Sequence, residues 1–206
     1  MNNLEEFFPD LSKDQLEKFK NLQGIYKFWN SKVNVISRKD IDNIYINHIL
    51  HSLSIAKVVQ FKNSSRILDV GTGGGFPGIP LAIFFPNVNF TLIDSIRKKI
   101  DVVNSVCNEL LISNVISVND RVENHFEKYD FIISRAVVKM DKLYDLVKKN
   151  IETGFNNDIP NGILSLKGGD LNLELRNFNN YKIYNLREYF SYDFFETKKL
   201  VYITSK

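Results

Sequence analysis

The fold is decided by the stretch Ile67-Leu68-Asp69-Val70-Gly71-Thr72-Gly73-Gly74-Gly75-Phe76-Pro77-Gly78. A short apolar run ends in an acid, and four glycines follow within the five residues 71–75. Because glycine tolerates positive φ and lets a ligand approach the backbone closely, this order predicts a β-strand, a tight turn beside a ligand, and then a helix. A turn that only tightens a strand–helix unit is the simpler alternative.

A second acid, Asp94, follows the apolar segment Phe90-Thr91-Leu92-Ile93. In Rossmann-like sheets, an acid about 20 residues beyond the glycine turn, at the end of the second strand, binds the ribose diol of a nucleoside. We therefore expect a nucleoside cofactor to lie between the glycine loop, including Gly73, and the carboxylate of Asp94.

The glycine loop alone does not identify the cofactor, because residues 73–78 also fit the G-x-G-x-x-G pattern of dinucleotide-binding proteins. Asp69 would repel a phosphate, whereas it could accept hydrogen bonds from an ammonium group. Pro77 and Pro80 lack the amide donors that bind an anion at a helix start. These features favour S-adenosylmethionine over a nicotinamide dinucleotide, and a dinucleotide-dependent oxidoreductase is the alternative.

Composition restricts the class of protein. The chain has 206 residues, of which 44% are hydrophobic and 25% charged, as expected for one globular unit. A net charge of +3 permits a nucleic-acid partner without requiring one. Cys107 is the single cysteine, and no Cys/His cluster has metal-ligand spacing, so we expect no disulfide and no metal. The sequence lacks a signal-peptide pattern and a long apolar span, so we expect a cytoplasmic protein without membrane attachment, acting as a monomer.

Hydrophobic periodicity divides the chain into an N-terminal helical cap, residues 1–65, packed on a cofactor-binding core, residues 66–206. In the cap, helices are predicted over 13–29 and 40–60, joined by a polar irregular segment, 30–38. In the core, alternating strands and helices predict an α/β fold of the Rossmann-like class I methyltransferase type, with a mostly parallel seven-stranded sheet that ends in an antiparallel hairpin. The predicted core helices cover 77–85, 96–111, 141–151 and 171–178, and the strands 66–70, 89–93, 115–118, 130–134, 162–166, 182–186 and 198–204.

Three sets of residues have both a functional and a structural interpretation. His48 and His51 lie one helical turn apart and could form a metal pair or a general base, but without acidic or cysteine partners nearby we expect packing residues. The run 97–99, Arg-Lys-Lys, fits a solvated helix start and a phosphate contact equally well. Cys107 falls in the apolar stripe of its helix, which predicts a buried thiol rather than a nucleophile.

Methyl transfer from a sulfonium needs positioning and electrostatic complementarity rather than a protein nucleophile, so no catalytic residue is predicted. After the fourth strand, Ile133-Ser134-Arg135-Ala136-Val137 lacks the Pro-Pro-aromatic motif of amino-group methylases, and Cys107 is wrongly placed to attack a pyrimidine ring. A ring nitrogen with a free lone pair, such as guanine N7, is compatible with Arg135 and no general base. Arg135 could equally pair with Glu123, with Asp94 or with the methionine carboxylate.

The chain resembles the RsmG (GidB) family of 16S ribosomal RNA guanine-N7 methyltransferases. The resemblance rests on six ordered blocks: Ile67 to Leu81, Leu92-Ile93-Asp94-Ser95, Arg121-Val122-Glu123, Ile133-Ser134-Arg135-Ala136, Leu166-Lys167-Gly168, and Asn47-His48-Ile49-Leu50 followed by Ser52-Leu53. The chain departs from the family pattern at His51, where Asp is usual, and at Asn34-Val35-Ile36-Ser37, where N-L-T-S is common.

The resemblance implies a cytoplasmic enzyme that methylates N7 of one guanosine in 16S rRNA, either naked or in a small-subunit particle. It also implies cofactor contacts at Gly71, Phe76, Val122, Glu123 and Arg135. A ribosome-binding module that retains the pocket without catalysis is a further alternative.

Overall fold

The fold is a seven-stranded sheet with helices on both faces. The computed structural model describes residues 4–37, 40–135, 137–154 and 156–204. The strand order is β3-β2-β1-β4-β5-β7-β6, with β1 to β5 parallel and β7 antiparallel to both β5 and β6. The predicted mostly parallel sheet with an antiparallel end is confirmed.

The core elements lie close to their predicted positions, except that the helix predicted over 171–178 is a single turn of four residues. The strands are β1 Arg66–Val70, β2 Asn89–Ile93, β3 Val115–Val118, β4 Phe131–Arg135, β5 Gly162–Gly168, β6 Tyr181–Asn185 and β7 Lys198–Thr204. The α-helices are α1 Leu4–Phe7, α2 Lys13–Asn30, α3 His51–Leu53, α4 Gly78–Phe84, α5 Arg97–Glu109, α6 Met140–Val147 and α7 Asn172–Leu175. Some residues of the predicted segments lie outside the described residues: 1–3, Arg38, Ala136, Phe155 within the predicted connection 152–161, and 205–206.

The predicted cap helix over 40–60 is wrong as a single regular helix. The segment consists of a 3-10 turn at Ile41–Asn43, a π-helix at Tyr45–Leu50, the short α3 and a second 3-10 turn at Ser54–Lys57. Serine hydroxyls compete for backbone carbonyls here, since Ser52 donates to the carbonyl of His48 and Ser54 to that of His51, both at 2.6 Å. Such side-chain hydrogen bonds compete with the backbone hydrogen bonds of a regular α-helix. Hydrophobic periodicity therefore predicted the buried face of this segment but not its type of helix.

The cap covers one face of the sheet. One hydrophobic cluster contains cap residues such as Leu22 and Leu53 together with sheet residues such as Leu92 and Phe131, all fully buried. The opposite face carries a second cluster beneath α6 and α7. A division at residue 65 stays a prediction, because the first cluster is continuous across it.

Alternation along the strands decides which charged groups face the cap. Ile67 on β1 and Ile133 on β4 belong to the cluster under the cap, and side chains two residues apart in a strand share a face. Asp69 and Arg135 therefore project from the sheet on the cap side, at the carboxyl ends of adjacent strands paired in register.

Gly75→Ala should destabilise the protein by roughly 2 to 4 kcal/mol, because left-handed strain and overpacking act together. Gly75 has a φ of 98°, and a Cβ there would lie 2.8 Å from Ile79 Cγ1 and 3.1 Å from the Tyr26 hydroxyl. Gly154→Ala is the matched control, since its φ is 85° with no atom within 4 Å of the added Cβ, and it should cost about 1 kcal/mol. Equal losses on urea unfolding would contradict the packing argument.

Candidate functional site

One open cavity of about 560 Å³ lies at the carboxyl edge of the parallel strands. Every residue predicted to contact the cofactor lines this cavity: Gly71, Gly73, Phe76, Asp94, Val122, Glu123 and Arg135. The usual ligand site of such sheets lies at the carboxyl ends of the parallel strands, where the strand order reverses, here between β1 and β4. The structure therefore brings together four chain segments that are up to 64 residues apart, from Gly71 to Arg135.

Asp69 does not face the cavity, contrary to the expectation that it would accept hydrogen bonds from a ligand ammonium group. Its side chain is fully buried, and Oδ2 accepts hydrogen bonds from the Thr72 hydroxyl (2.6 Å) and from the Gly78 N–H (2.9 Å). Asp69 thus ties the start of the glycine loop to the first residue of α4. This bond also occupies an amide that would otherwise be free to bind a phosphate.

Asp94 bridges the glycine loop and the start of α5. Its Oδ2 accepts from the Gly73 N–H and its Oδ1 from the Ile96 N–H, both at 2.9 Å. The carboxylate is buried yet lines the cavity. Because each carboxylate oxygen can accept two hydrogen bonds, Asp94 retains capacity for a ligand hydroxyl while its position is fixed by backbone.

Two cap residues complete the loop's surroundings, and sequence reasoning missed both. The Tyr26 hydroxyl, fully buried, donates to the Gly74 carbonyl at 2.6 Å, and its ring lies 4.7 Å from that of Phe76. Val35 lines the cavity. A tyrosine inside an otherwise apolar helical stripe was the available signal for the first contact, since a buried hydroxyl needs a partner. Val35 lies in an irregular segment and gave no such signal.

Arg135 contacts the cap rather than the carboxylates suggested by the sequence. Its Nη2 donates to His48 Nδ1 at 2.9 Å, and its Nη1 lies 3.4 Å from the Asn47 carbonyl. The guanidinium carbon is 5.0 Å from the centre of the Phe76 ring, and the His48 ring packs edge-on against the same ring at 5.1 Å. The contacts described for Arg135 include no pairing with Glu123 or Asp94.

Burial is the main cause of the pKa shifts of Asp69, His48 and Arg135. It raises the pKa of Asp69 to about 7, against the lowering effects of Thr72, Gly78 and the charge of Arg135. Burial, helped by the charge of Arg135, lowers the pKa of His48 to about 3. Burial also lowers the pKa of Arg135, to about 10. At neutral pH, the neutral imidazole of His48 therefore lies beside the guanidinium cation of Arg135.

Acidification should cost the wild type more stability than it costs His48→Asn, by about 1 to 2 kcal/mol between about pH 7.5 and about pH 5. The folded pKa of His48, about 3, lies below the ordinary value of 6.5, so its stabilising effect is complete above 6.5 and is lost as the pH falls toward 3. Asp69 acts oppositely, because its raised pKa makes its contribution fall as the pH rises from 3.8 to about 7. The contribution of Asp69 is the same in the wild type and in His48→Asn, so it cancels in the difference between them. Urea midpoints measured at both pH values test this; identical shifts would contradict it.

The remaining candidates have structural explanations or peripheral positions. His51 is buried with its ring near those of Phe194 and Phe195. Cys107 is buried, as predicted, and burial raises its pKa to about 12. Lys99 lines the cavity, whereas Arg97 pairs with Asp101. Within the described ranges, no three His, Cys, Asp or Glu side chains are grouped to hold a metal ion, and no helix is long and apolar enough to span a bilayer.

Comparison with known proteins places the chain in a family. Residues 15–200 match the GidB family model, described as rRNA small subunit methyltransferase G. A protein of that name from Christiangramia forsetii is 54% identical over 98% of this chain and 96% of the relative. Another from Flavobacterium psychrophilum is 50% identical over 100% of this chain and 99% of the relative.

A solved structure supports the fold independently. A SAM-dependent methyltransferase from Aquifex aeolicus superposes with a TM-score of 0.54 at 16% identity, covering 74% of this chain and 88% of that one. At this identity the likeness establishes the Rossmann-like fold alone. The family match extends across both the cap and the sheet, and the chain belongs to the GidB family of small-subunit rRNA methyltransferases.

Proposed function

We propose that the chain transfers the methyl group of S-adenosylmethionine to N7 of a guanosine in 16S rRNA. The observation that carries this proposal is the convergence of the glycine loop, Asp94 and Arg135 on one cavity in a chain that belongs to this methyltransferase family. The relatives' names supply rRNA of the small subunit as the substrate class; guanine N7 rests on the resemblance and on the chemistry of the site.

The cavity fits an adenosine that carries an amino-acid tail. Asp94, held by two backbone N–H groups, accepts hydrogen bonds from the ribose hydroxyls. Val122 and Glu123, in the 3-10 turn after β3, line the same cavity and would contact the adenine. Gly71, Gly73 and Phe76 form the loop against which the tail packs. S-adenosylmethionine, when bound there, supplies an electrophilic methyl group on a sulfonium.

The residues of the site position the reactants and abstract no proton. Three carboxylates line the cavity, those of Asp94, Asp120 and Glu123, but guanine N7 has a free lone pair and needs none of them as a base. Arg135 presents a partly buried guanidinium to the cavity, where the N–H donors that do not contact the cap can bind an acceptor oxygen of the guanine or the carboxylate of the tail. Neither role requires a general base.

The same proposal gives the partner and the setting. A small ribosomal subunit, or its 16S rRNA, is the macromolecular substrate, and the chain acts on it as a monomer in the cytoplasm. Lys99 and Arg121 at the cavity margin supply positive charge close to the point where a phosphodiester backbone would pass.

The decisive experiment uses small subunits from cells that lack this gene. We expect the purified protein to label their 16S rRNA from radiolabelled S-adenosylmethionine, and nucleoside digestion to return the label as 7-methylguanosine. Label in another nucleoside would refute the N7 assignment. Subunit binding without any label would favour the non-catalytic module, and micromolar affinity for NADH instead of S-adenosylhomocysteine would overturn the cofactor.

A further inference from the structure

His48 is a polar side chain of the cap that the proposed function leaves without a role. It does not line the cavity, yet its Nδ1 lies 2.9 Å from Nη2 of Arg135, which does. The ring also contacts Phe76, a second residue of the cavity wall, at 5.1 Å. His48 therefore reaches the site only through two of the residues that form it.

The direction of the hydrogen bond follows from chemistry. A guanidinium has five N–H donors and accepts no hydrogen bond. Arg135 must therefore donate, and His48 Nδ1 must carry a lone pair. The ring is consequently neutral, with its proton on Nε2. One side-chain atom of the cap, in one tautomer, thus fixes one end of the guanidinium fork.

The irregular backbone of the cap makes this contact possible. His48 lies within the π-helix Tyr45–Leu50, and the Asn47 carbonyl from the same turn faces Nη1 of Arg135 at 3.4 Å. Wide π turns of this kind are rare and occur frequently at functional sites. The turn presents two adjacent acceptors to one guanidinium, and they use two of its five N–H donors.

Asp40 is a second charged group near His48. Asp40, from the preceding turn of the cap, acts electrostatically on both His48 and Arg135 and is itself hydrogen-bonded to Ser37 and Asn47. Among the described residues, neither Asp40 nor His51 forms a hydrogen bond with the guanidinium of Arg135. The acceptor that orients Nη2 is therefore His48.

We propose that His48 is a positioning residue for methyl transfer, which holds the guanidinium of Arg135 beside Phe76 in the orientation that the reaction needs. This inference rests on the proposed function. It assigns to the cap a part in the transfer step, beyond covering the sheet: the cap carries the acceptor, and the core carries the cation that meets the reactants.

The test compares two replacements that differ in the acceptor. His48→Asn places its Oδ1 where Nδ1 stands and keeps the hydrogen bond, whereas His48→Leu keeps apolar volume and removes it. Each is made in the wild type and in Arg135→Lys, and the rate of methylation of small subunits, the KM for subunits and the melting temperature are measured. If His48→Leu does not fold, His48→Gln replaces it, because its acceptor extends one bond further, to the place of Nε2.

We expect His48→Leu to lower kcat by about 10-fold or more with little change in KM for the subunit, as lost orientation does. His48→Asn should stay within about 3-fold of the wild type, and His48→Leu should change the Arg135→Lys enzyme by no more than about 2-fold, because coupled residues are non-additive. Equal losses in His48→Asn and His48→Leu, equal losses in both backgrounds, or no loss in His48→Leu would each overturn the inference. A wild type that labels no rRNA would instead refute the proposed function on which the inference rests.

Discussion

Arg135→Ala should lower the methylation rate of small subunits by about 100-fold or more, the usual cost of removing a preorganised electrostatic group from a reacting centre. The guanidinium lines the cavity and is oriented by His48 and Phe76. Alanine removes the cation and also leaves His48 Nδ1 and the Asn47 carbonyl without this donor. Single-turnover kinetics at saturating cofactor measure the loss directly.

Stability must be measured alongside the rate, because Arg135 is also part of the packing between cap and sheet. The two hydrogen bonds of Arg135 are partly buried, and leaving an acceptor unpaired costs about 1 to 3 kcal/mol, so the variant should melt lower and still fold. Arg97→Ala is the matched control, since Arg97 is exposed and pairs only with Asp101 in the salt bridges described. Retained activity in Arg135→Ala, or a control that loses as much activity, would contradict the assigned role.

The sequence was most informative where local patterns act alone. The strand β2 lies over the residues expected from its apolar run, since strands covered on both faces carry little else. The edge strand β3 also has its expected bounds, although Ile116 on it is exposed. The seven residues predicted to contact the cofactor were chosen from the glycine loop, the spacing to Asp94 and the family motifs. In the structure these residues lie together, because the carboxyl ends of the parallel strands meet at one edge of the sheet.

The alternation of side chains along a strand can be read from the sequence, and it corrects the expectations for Asp69 and Arg135. Ile67 and Asp69 share a face of β1, as Ile133 and Arg135 share a face of β4, and both faces lie under the cap. This alternation therefore predicts that Arg135 contacts the cap rather than pairing with Glu123. The partner within the cap was harder to foresee, because His48 reaches Arg135 only through the irregular helical path at 45–50.

The role of Asp69 shows where residue type misleads. A carboxylate beside a glycine loop suggests a ligand contact, but the loop itself has unpaired amides and a hydroxyl that need an acceptor. Thr72 and Gly78 satisfy that need through Asp69. Whether an acid serves the loop or the ligand depends on which way its side chain leaves the strand, and the residue type alone does not contain that information.

Asp94→Ala should weaken the binding of S-adenosylhomocysteine by roughly 1.5 to 3 kcal/mol, or about 10- to 150-fold in Kd, the range for hydrogen bonds to a charged group. The structure adds a second reason for the loss. Oδ2 of Asp94 accepts from the Gly73 N–H and Oδ1 from the Ile96 N–H, so alanine removes the ribose acceptor and also releases the glycine loop from the start of α5.

Two further variants separate these contributions by calorimetry. Asp94→Asn retains one acceptor oxygen and replaces the other by a donor, which cannot satisfy both backbone N–H groups; we expect its affinity to fall between those of the wild type and Asp94→Ala. Asp101→Ala, on the exposed side of α5, is the control for removing a carboxylate from this region and should bind as the wild type does. If Asp94→Ala lowers the melting temperature but leaves the Kd unchanged, the carboxylate serves only the loop, and the ribose must be bound by another group on the cavity wall.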